Sequence, residues 1–162
     1  MSPTHGDDDV VDMNMRISAV TETDLPDLLP LMRAYCDFYQ VEPTDEQLLA
    51  LSRSLLADPE CEGFQLIARD QKGRAVGFAT VYWSRSTLAA ARTSILNDLY
   101  VDPEARGTGL AEALIEECRN RSAAHGTASM DWQTAKDNQP AQRVYERIGA
   151  KREEWLTYSL DT

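Results

Sequence analysis

The run ILNDLYVDPEARGTGLA, Ile95 to Ala111, constrains the fold more than any other part of this chain. Its first seven residues, Ile95 to Val101, are rich in branched and aromatic side chains and hold neither Gly nor Pro, so they read as a buried strand. Asp102-Pro103 stops that strand. Arg106-Gly107-Thr108-Gly109 follows, and from Leu110 the apolar spacing becomes helical, so a glycine-bearing loop joins a strand end to a helix start. Glycines admit a ligand close to the backbone, and the first-turn amides of a helix have no partner within it, so such a loop is a cradle for an anion. On spacing alone a Gly-x-Gly pair also fits an ordinary turn. Two nucleotide motifs are excluded. A phosphate loop of the Walker type needs Gly-Lys-Ser/Thr where Gly109 is followed by Leu110 and Ala111, and a dinucleotide fingerprint needs a third glycine where Glu112 stands.

Elements on either side follow from periodicity. Arg16 to Val20 reads as a short strand, and Thr23 as the cap of a helix with Pro26 near its start. Leu25, Leu28, Leu29, Met32, Cys36 and Tyr39 form one apolar stripe on that helix. A second helix starts near Thr44, with Leu48, Leu51 and Leu55 inward beside Leu49 and Leu56, and ends at Asp58-Pro59. Phe64 to Arg69 and Ala75 to Ser84 are two strands joined by the turn Asp70-Gln71-Lys72-Gly73, with Gly77 a candidate bulge. Ser86 to Arg92 is a loop. After the helix from about Gly109 to Ala124 come a strand over Ser129 to Thr134 and a turn at Lys136 to Asn138. A helix over Gln139 to Ile148 follows, with Ala141, Val144, Tyr145 and Ile148 inward, and a last strand spans Trp155 to Leu160. The order is β, α, α, β, β, β, α, β, α, β: an α/β fold with one mixed, mostly antiparallel sheet flanked by helices on both faces. Residues 1–13, with Asp7-Asp8-Asp9, read as a disordered acidic tail, and residues 14–162 as a single domain.

The balance of 16 basic against 27 acidic residues gives a formal net charge of -11, which argues against a nucleic-acid surface and favours cationic substrates or simple solubility. No apolar run reaches the roughly 18 residues of a bilayer span, and the first residues are acidic, so no membrane association and a cytoplasmic location are expected. Cys36, Cys61 and Cys118 lack metal-type spacing, so neither disulfides nor a metal is expected. His125 fits a helix C-terminus before Gly126.

Val101-Asp102-Pro103 followed by Arg106-Gly107-Thr108-Gly109-Leu110-Ala111 resembles motif A of the GNAT superfamily of N-acetyltransferases. Glu104 stands where the family's fuller pattern has Gln or Arg. Asn138, Ala141 and Tyr145 resemble its motif B. The resemblance spans roughly residues 15 to 160 and implies the GNAT fold, acetyl-CoA as cosubstrate and direct transfer of the acetyl group to an amine. It implies that the amides around Leu99, Tyr100 and Val101 orient the acetyl group and pantetheine, and that the loop from Arg106 to Ala111 holds pyrophosphate. Asn138 would hold the arm, and Tyr145 would act as general acid. Leu96-Asn97-Asp98-Leu99-Tyr100-Val101 resembles the diamine and polyamine acetyltransferase branch, whose pattern is Leu-Glu-Asp. That glutamate falls on Asn97, and an amide cannot act as a base. Related acetyltransferases pair through terminal strands, which implies a homodimer.

Aminolysis of a thioester needs an amine stripped of its proton, a held carbonyl oxygen and a donor for the departing sulfur. A primary alkylamine, with a pKa of about 10.4, costs about 4 kcal/mol to deprotonate near pH 7. Tyr145 is the candidate acid, two helical turns after Asn138, or else a core aromatic. Asp98 and Asp131 lie in strands, where a buried carboxylate needs a reason. One of them pairs with an Arg, or Asp98 binds the ammonium or helps a water carry its proton away. Asn97, Asp131 and Trp132 are weaker substrate-binding candidates, Trp132 being equally a core residue. Tyr35 and Tyr39 lie where the family builds its acceptor wall, or pack in the core. Trp83 and Arg85 end a strand, and Trp155 and Tyr158 pack or make a dimer contact. The expected reaction is acetylation of a small cationic amine. An aminoglycoside or protein-lysine acetyltransferase, or a non-catalytic acyl-CoA-binding module, is the alternative.

Overall fold

The computed structural model describes residues 15–162, and the tail expected over residues 1–13 lies outside the described residues. The chain divides into two compact units, one running to Trp132 and the other Gln133–Thr162.

In the first unit β1 (Arg16–Ala19) leads through a 3-10 turn into α1 (Leu25–Phe38), and α2 (Asp45–Ala57) follows. Thr21, not Thr23, caps the 3-10 turn that leads into α1, and Asp24 stands at the N-cap of α1 itself. The Thr21 amide and hydroxyl both donate to Asp24 Oδ2, at 2.9 and 2.7 Å, while Thr23 only shares a hydroxyl contact with Thr21. The second helix starts near Thr44 as expected, and Thr44 caps it, accepting from the Gln47 amide while Gln47 Oε1 accepts from the Thr44 amide. Then come β2 (Gly63–Arg69), β3 (Ala75–Ser86), β4 (Ala91–Val101), α3 (Leu110–Ala124) and β5 (Met130–Asp131). The sheet order is β1-β2-β3-β4-β5, antiparallel except for the β4–β5 pair.

Adjacent residues of β3 mark the two faces. Phe78 packs with Leu28, Leu31 and Met32 of α1 and Ile67 of β2 in one buried cluster. Its neighbour Gly77 looks the other way, where a Cβ would lie 3.4 Å from both Leu110 and Leu114 of α3 and only 2.9 Å from the Tyr100 carbonyl oxygen. Helices therefore cover both faces. A side chain at residue 77 would separate β3, β4 and α3, which explains this glycine. The bulge anticipated there is one residue earlier: Ala68 pairs with Gly77 and Arg69 with Ala75, leaving Val76 as the extra residue.

Other differences have plain causes. The stretch Ser86 to Arg92 is not a loop, because β3 and β4 extend towards each other until only Thr87–Ala90 is left to turn, with Ala90 at φ 50°. On α2 the inward row is Leu48, Ser52 and Leu55 rather than Leu48, Leu51 and Leu55. Leu51 is 39% exposed, whereas Ser52 is fully buried and donates to Met32 Sδ at 3.6 Å. Arg69, at the end of β2, clamps the start of α1, with Nη2 on Asp24 at 2.7 Å and Nη1 on Asp27 at 2.8 Å.

The strand expected over Ser129 to Thr134 shrinks to two residues, paired as Ser94 with Met130 and Ile95 with Asp131. The second unit holds α4 (Gln139–Arg147), which stops at Ile148 with Gly149 at φ 77°, and Ile148 is exposed rather than inward. Trp155 to Leu160 is not a strand. Among the described residues this unit has no strand to bond it, and a lone strand leaves its amides unpaired. Trp155, Leu156, Tyr158 and Leu160 are exposed, so Trp155 and Tyr158 do not pack in a core.

Candidate active site

The loop after β4 is built to present amides. Asp102 ends the strand and its Oδ1 accepts from the Glu104 amide at 3.0 Å, starting a 3-10 turn over Pro103–Ala105. Arg106 Nε donates to the Val101 carbonyl at 3.0 Å and Thr108 Oγ1 to the Ala105 carbonyl at 2.7 Å. These two side chains fix the shape of the loop. Gly107 and Gly109 sit at φ 75° and 82°, the left-handed region that glycine enters without strain. Among the described residues the amides of Gly107, Thr108, Gly109, Leu110 and Ala111 donate to no other backbone group, and a Cβ on Gly107 would meet nothing within 4 Å. An anion arriving there would therefore meet unpaired amides, open space beside Gly107 and the N-terminus of a 15-residue helix. Glu104 is ion-paired to Arg74 Nη1 at 2.9 Å, which offsets its negative charge beside the cradle.

Upstream, β4 is open along one edge. Its ladder with β3 runs the whole length of the strand, but β5 covers only Ser94 and Ile95. From Leu96 to Val101 no strand pairs with the β5 side of β4 among the described residues, so the main-chain groups around Leu99 to Val101 that face away from β3 have no ladder partner, the Val101 carbonyl being taken by Arg106.

Beside this edge lies Asp98. The β3–β4 register steps from Thr80 opposite Asp98 to Val81 opposite Leu96, so Asn97 is a bulged residue without a partner. Asn97 Nδ2 donates to Asp98 Oδ1 at 3.0 Å, and the Tyr35 hydroxyl donates to the Asn97 carbonyl at 3.5 Å. Burial raises the Asp98 pKa, and hydrogen bonding from Thr80, Asn97 and Tyr35 opposes that without cancelling it. None of the groups setting its acidity is a cation, so the pairing with an Arg considered from the sequence is not what keeps it there. Its charge is felt in turn. Tyr35 is raised by burial and then by Asp98, and Tyr82, for the same two reasons, is pushed up to about 12. Tyr35 stacks edge-on against Tyr39, 5.0 Å between centroids, and against Phe78 at 5.9 Å. The site is thus a half-buried carboxyl among tyrosines. Tyr82, Thr80 and Gln65 were not singled out from the sequence; the signal for the last two was a polar residue inside an otherwise apolar strand.

Asn138 and Tyr145 lie on α4 of the second unit. Asn138 is the cap of that helix, its Oδ1 accepting from the Ala141 amide at 3.3 Å. Tyr145 is half-buried and follows by seven residues, which puts both on one helix face. Asp131 is exposed and accepts from Ser129 Oγ at 3.0 Å, so it is not the buried strand carboxylate the sequence suggested. Trp132 is half-buried. Trp83 donates its indole N–H to the Pro59 carbonyl at 2.7 Å and stacks on His125 at 3.9 Å, both structural uses. Among the described residues no group of three His, Cys, Asp or Glu could hold a metal ion, and no helix is long and apolar enough to cross a membrane.

Residues 28–150 match the acetyltransferase (GNAT) family, and the chain belongs to it. It is 31% identical over 145 residues to an uncharacterized N-acetyltransferase of Schizosaccharomyces pombe, covering 87% of this chain and 85% of that one. With the thialysine N-epsilon-acetyltransferase of Mus musculus it shares 26% over 162 residues, covering 90% and 92%. A crystal structure of a probable acetyltransferase superposes with a TM-score of 0.76 at 31% identity, covering 91% of this chain and 97% of that one. The protein is an acetyl-CoA-dependent N-acetyltransferase.

Proposed function

We propose that the acceptor is a small cationic amine of the diamine or polyamine kind, bound by its ammonium at Asp98. The observation that carries this is a half-buried carboxyl, with no cation among the groups that set its acidity, beside the open edge of β4 and ringed by Tyr35 and Tyr82. A carboxylate in that position is costly until a cation joins it, and tyrosine faces favour an ammonium. The overall charge of -11 draws such substrates in. The 26% identity to a thialysine acetyltransferase supports an amine at the end of an alkyl chain.

Each residue then has a task. The amides from Gly107 to Ala111 hold the pyrophosphate of acetyl-CoA, and the open edge at Leu99 to Val101 aligns the pantetheine, which brings the thioester towards Asp98. Asp98 accepts a proton from the ammonium, directly or through one water. Asn97 cannot take it, and its amide instead orients the carboxylate. The free amine attacks the thioester carbonyl, the carbon–sulfur bond breaks, Tyr145 gives its proton to the departing sulfur, and the second proton shed by the nitrogen as the amide forms restores the phenol. Asn138, its Oδ1 committed to the cap, has its Nδ2 to offer the arm. A homodimer that covers the exposed Trp155, Leu156, Tyr158 and Leu160 belongs to the same reading.

The test is thiol release from acetyl-CoA with a panel of diamines, polyamines, thialysine, aminoglycosides and a lysine peptide. Diamines and polyamines should give the highest kcat/KM. A preference for aminoglycosides or the peptide would replace the acceptor assignment, and CoA binding with no release for any amine would favour a binding module.

A further inference from the structure

Gln65, Thr80 and Asp98 form one row across three neighbouring strands, spanning roughly 10 Å at the usual strand spacing. Gln65 stands opposite Thr80 in the β2–β3 ladder, and Thr80 opposite Asp98 in the β3–β4 ladder. Gln65 Nε2 donates to Thr80 Oγ1 at 3.1 Å. Gln65 is 4% exposed and Thr80 fully buried, so neither polar group is there to meet solvent. Gln65 Oε1 is buried and has no hydrogen-bond partner among the described residues.

A buried amide that leaves its oxygen unmatched calls for a reason. The amide can turn two ways. With its oxygen towards Thr80 the hydroxyl would donate to Gln65, and its one hydrogen would be withdrawn from Asp98. With its nitrogen towards Thr80 the hydroxyl accepts, and that hydrogen is free for the carboxylate. The second arrangement is the one present, and the orphaned Oε1 is its cost.

We propose that Gln65 is a positioning residue acting through Thr80: its amide fixes the Thr80 hydroxyl as a donor to Asp98, holding that carboxylate ionised and aimed at the amine. The proposal rests on the reading of Asp98 as acceptor of the amine proton. No proton travels along the row; it orients hydrogens and moves none. The other titratable or charged groups around Asp98 are Tyr35 and Cys36 of α1, with Tyr39, Arg33 and Asp37 beyond them, Tyr82 of β3 with Glu62 beyond it, and Tyr100 of β4. None of the acids or phenols among them stands opposite Asp98 in the ladder as Thr80 does.

The experiment follows the Asp98 carboxyl by 13C NMR titration of the full chain, beside the pH profile of kcat/KM. Thr80→Val should move the Asp98 midpoint and the acid limb of the profile up by about one pH unit, because burial then acts with one donor fewer. Gln65→Met should move both in the same direction by about half as much, and Thr80→Ser should leave both where they are. Midpoints unchanged in Thr80→Val or in Gln65→Met, with only the melting temperature lowered, would reduce the row to packing and overturn the proposal. Should the variants not fold, the unaltered protein decides: the Gln65 side-chain amide resonances must titrate with the Asp98 midpoint, and flat resonances overturn the proposal. Full activity of Asp98→Asn would instead remove the reading of Asp98 and, with it, the purpose assigned to the row.

Discussion

Thr80 and Asp98 face each other across the β3–β4 ladder, and the next pair, Val81 with Leu96, is one residue out of step. That slip leaves Asn97 as the bulged residue, and Asp98 keeps to the α1 side of the sheet with Tyr35, beside the open edge of β4. The position of one carboxyl therefore depends on an irregularity in hydrogen bonding rather than on the regular strand.

Asp98→Asn should reduce kcat by about 10²–10⁴-fold, the range for removing a general base. The same change should stabilise the protein. The folded-state pKa of Asp98 lies above its unfolded value, so the stability this group contributes is complete below the unfolded value of 3.8 and is lost as pH rises through the folded one. At pH 7 the charge is a burden that the amide lacks. Thermal unfolding at pH 7 should show a melting temperature higher by about 2–4 °C, equivalent to roughly 1 kcal/mol in a chain of this size. A lower melting temperature would mean that the carboxylate is structural.

Tyr145→Phe should lower kcat by about 10²-fold while the dissociation constant for CoA, measured by calorimetry, changes less than about twofold. Equal activity would take the phenol out of the reaction and leave its ring a packing role on α4.

Gly109→Ala tests the cradle. At φ 82° an alanine is strained by about 1–2 kcal/mol, and relief of that strain would turn the first amides of α3 away from the ligand. The KM for acetyl-CoA should rise about tenfold, with the KM for the amine little altered. Steady-state kinetics at saturating amine separates the two.

Arg69→Ala removes the clamp between β2 and α1 and should cost about 2 kcal/mol at pH 7, read from urea unfolding. Asp24 is pushed up by burial, but hydrogen bonds from Arg69 and Thr21 outweigh that and hold it below the ordinary 3.8. Its contribution is therefore fully present above pH 3.8 and is lost as pH falls through the depressed folded value. The gap between wild type and variant should narrow at pH 3, the opposite sense to Asp98.

The strand, loop and helix around the cradle were legible because each carries a local signal: β-forming residues to Val101, a stop at Asp102-Pro103, glycines where φ is positive, helical spacing from Leu110. The helix start near Thr44 and the turn at Asp70 were legible for the same reason. What failed was whatever depends on a partner. Trp155 to Leu160 alternates like a strand, yet a strand needs a neighbour that composition cannot supply. Thr23 and Thr21 are equally good caps on paper, and only the reach of Asp24 chooses between them. The row from Gln65 to Asp98 is invisible in the chain, because register between strands decides which polar residues meet.

Gly77 lies against both β4 and the start of α3. Its missing side chain lets the Tyr100 carbonyl and Leu110 and Leu114 of α3 settle onto the sheet, and so sets how far the first amides of α3 stand from the open edge of β4. A methyl group there would press on the Tyr100 carbonyl, Leu110 and Leu114 at once, so β4 and α3 could keep their mutual spacing only by moving off β3.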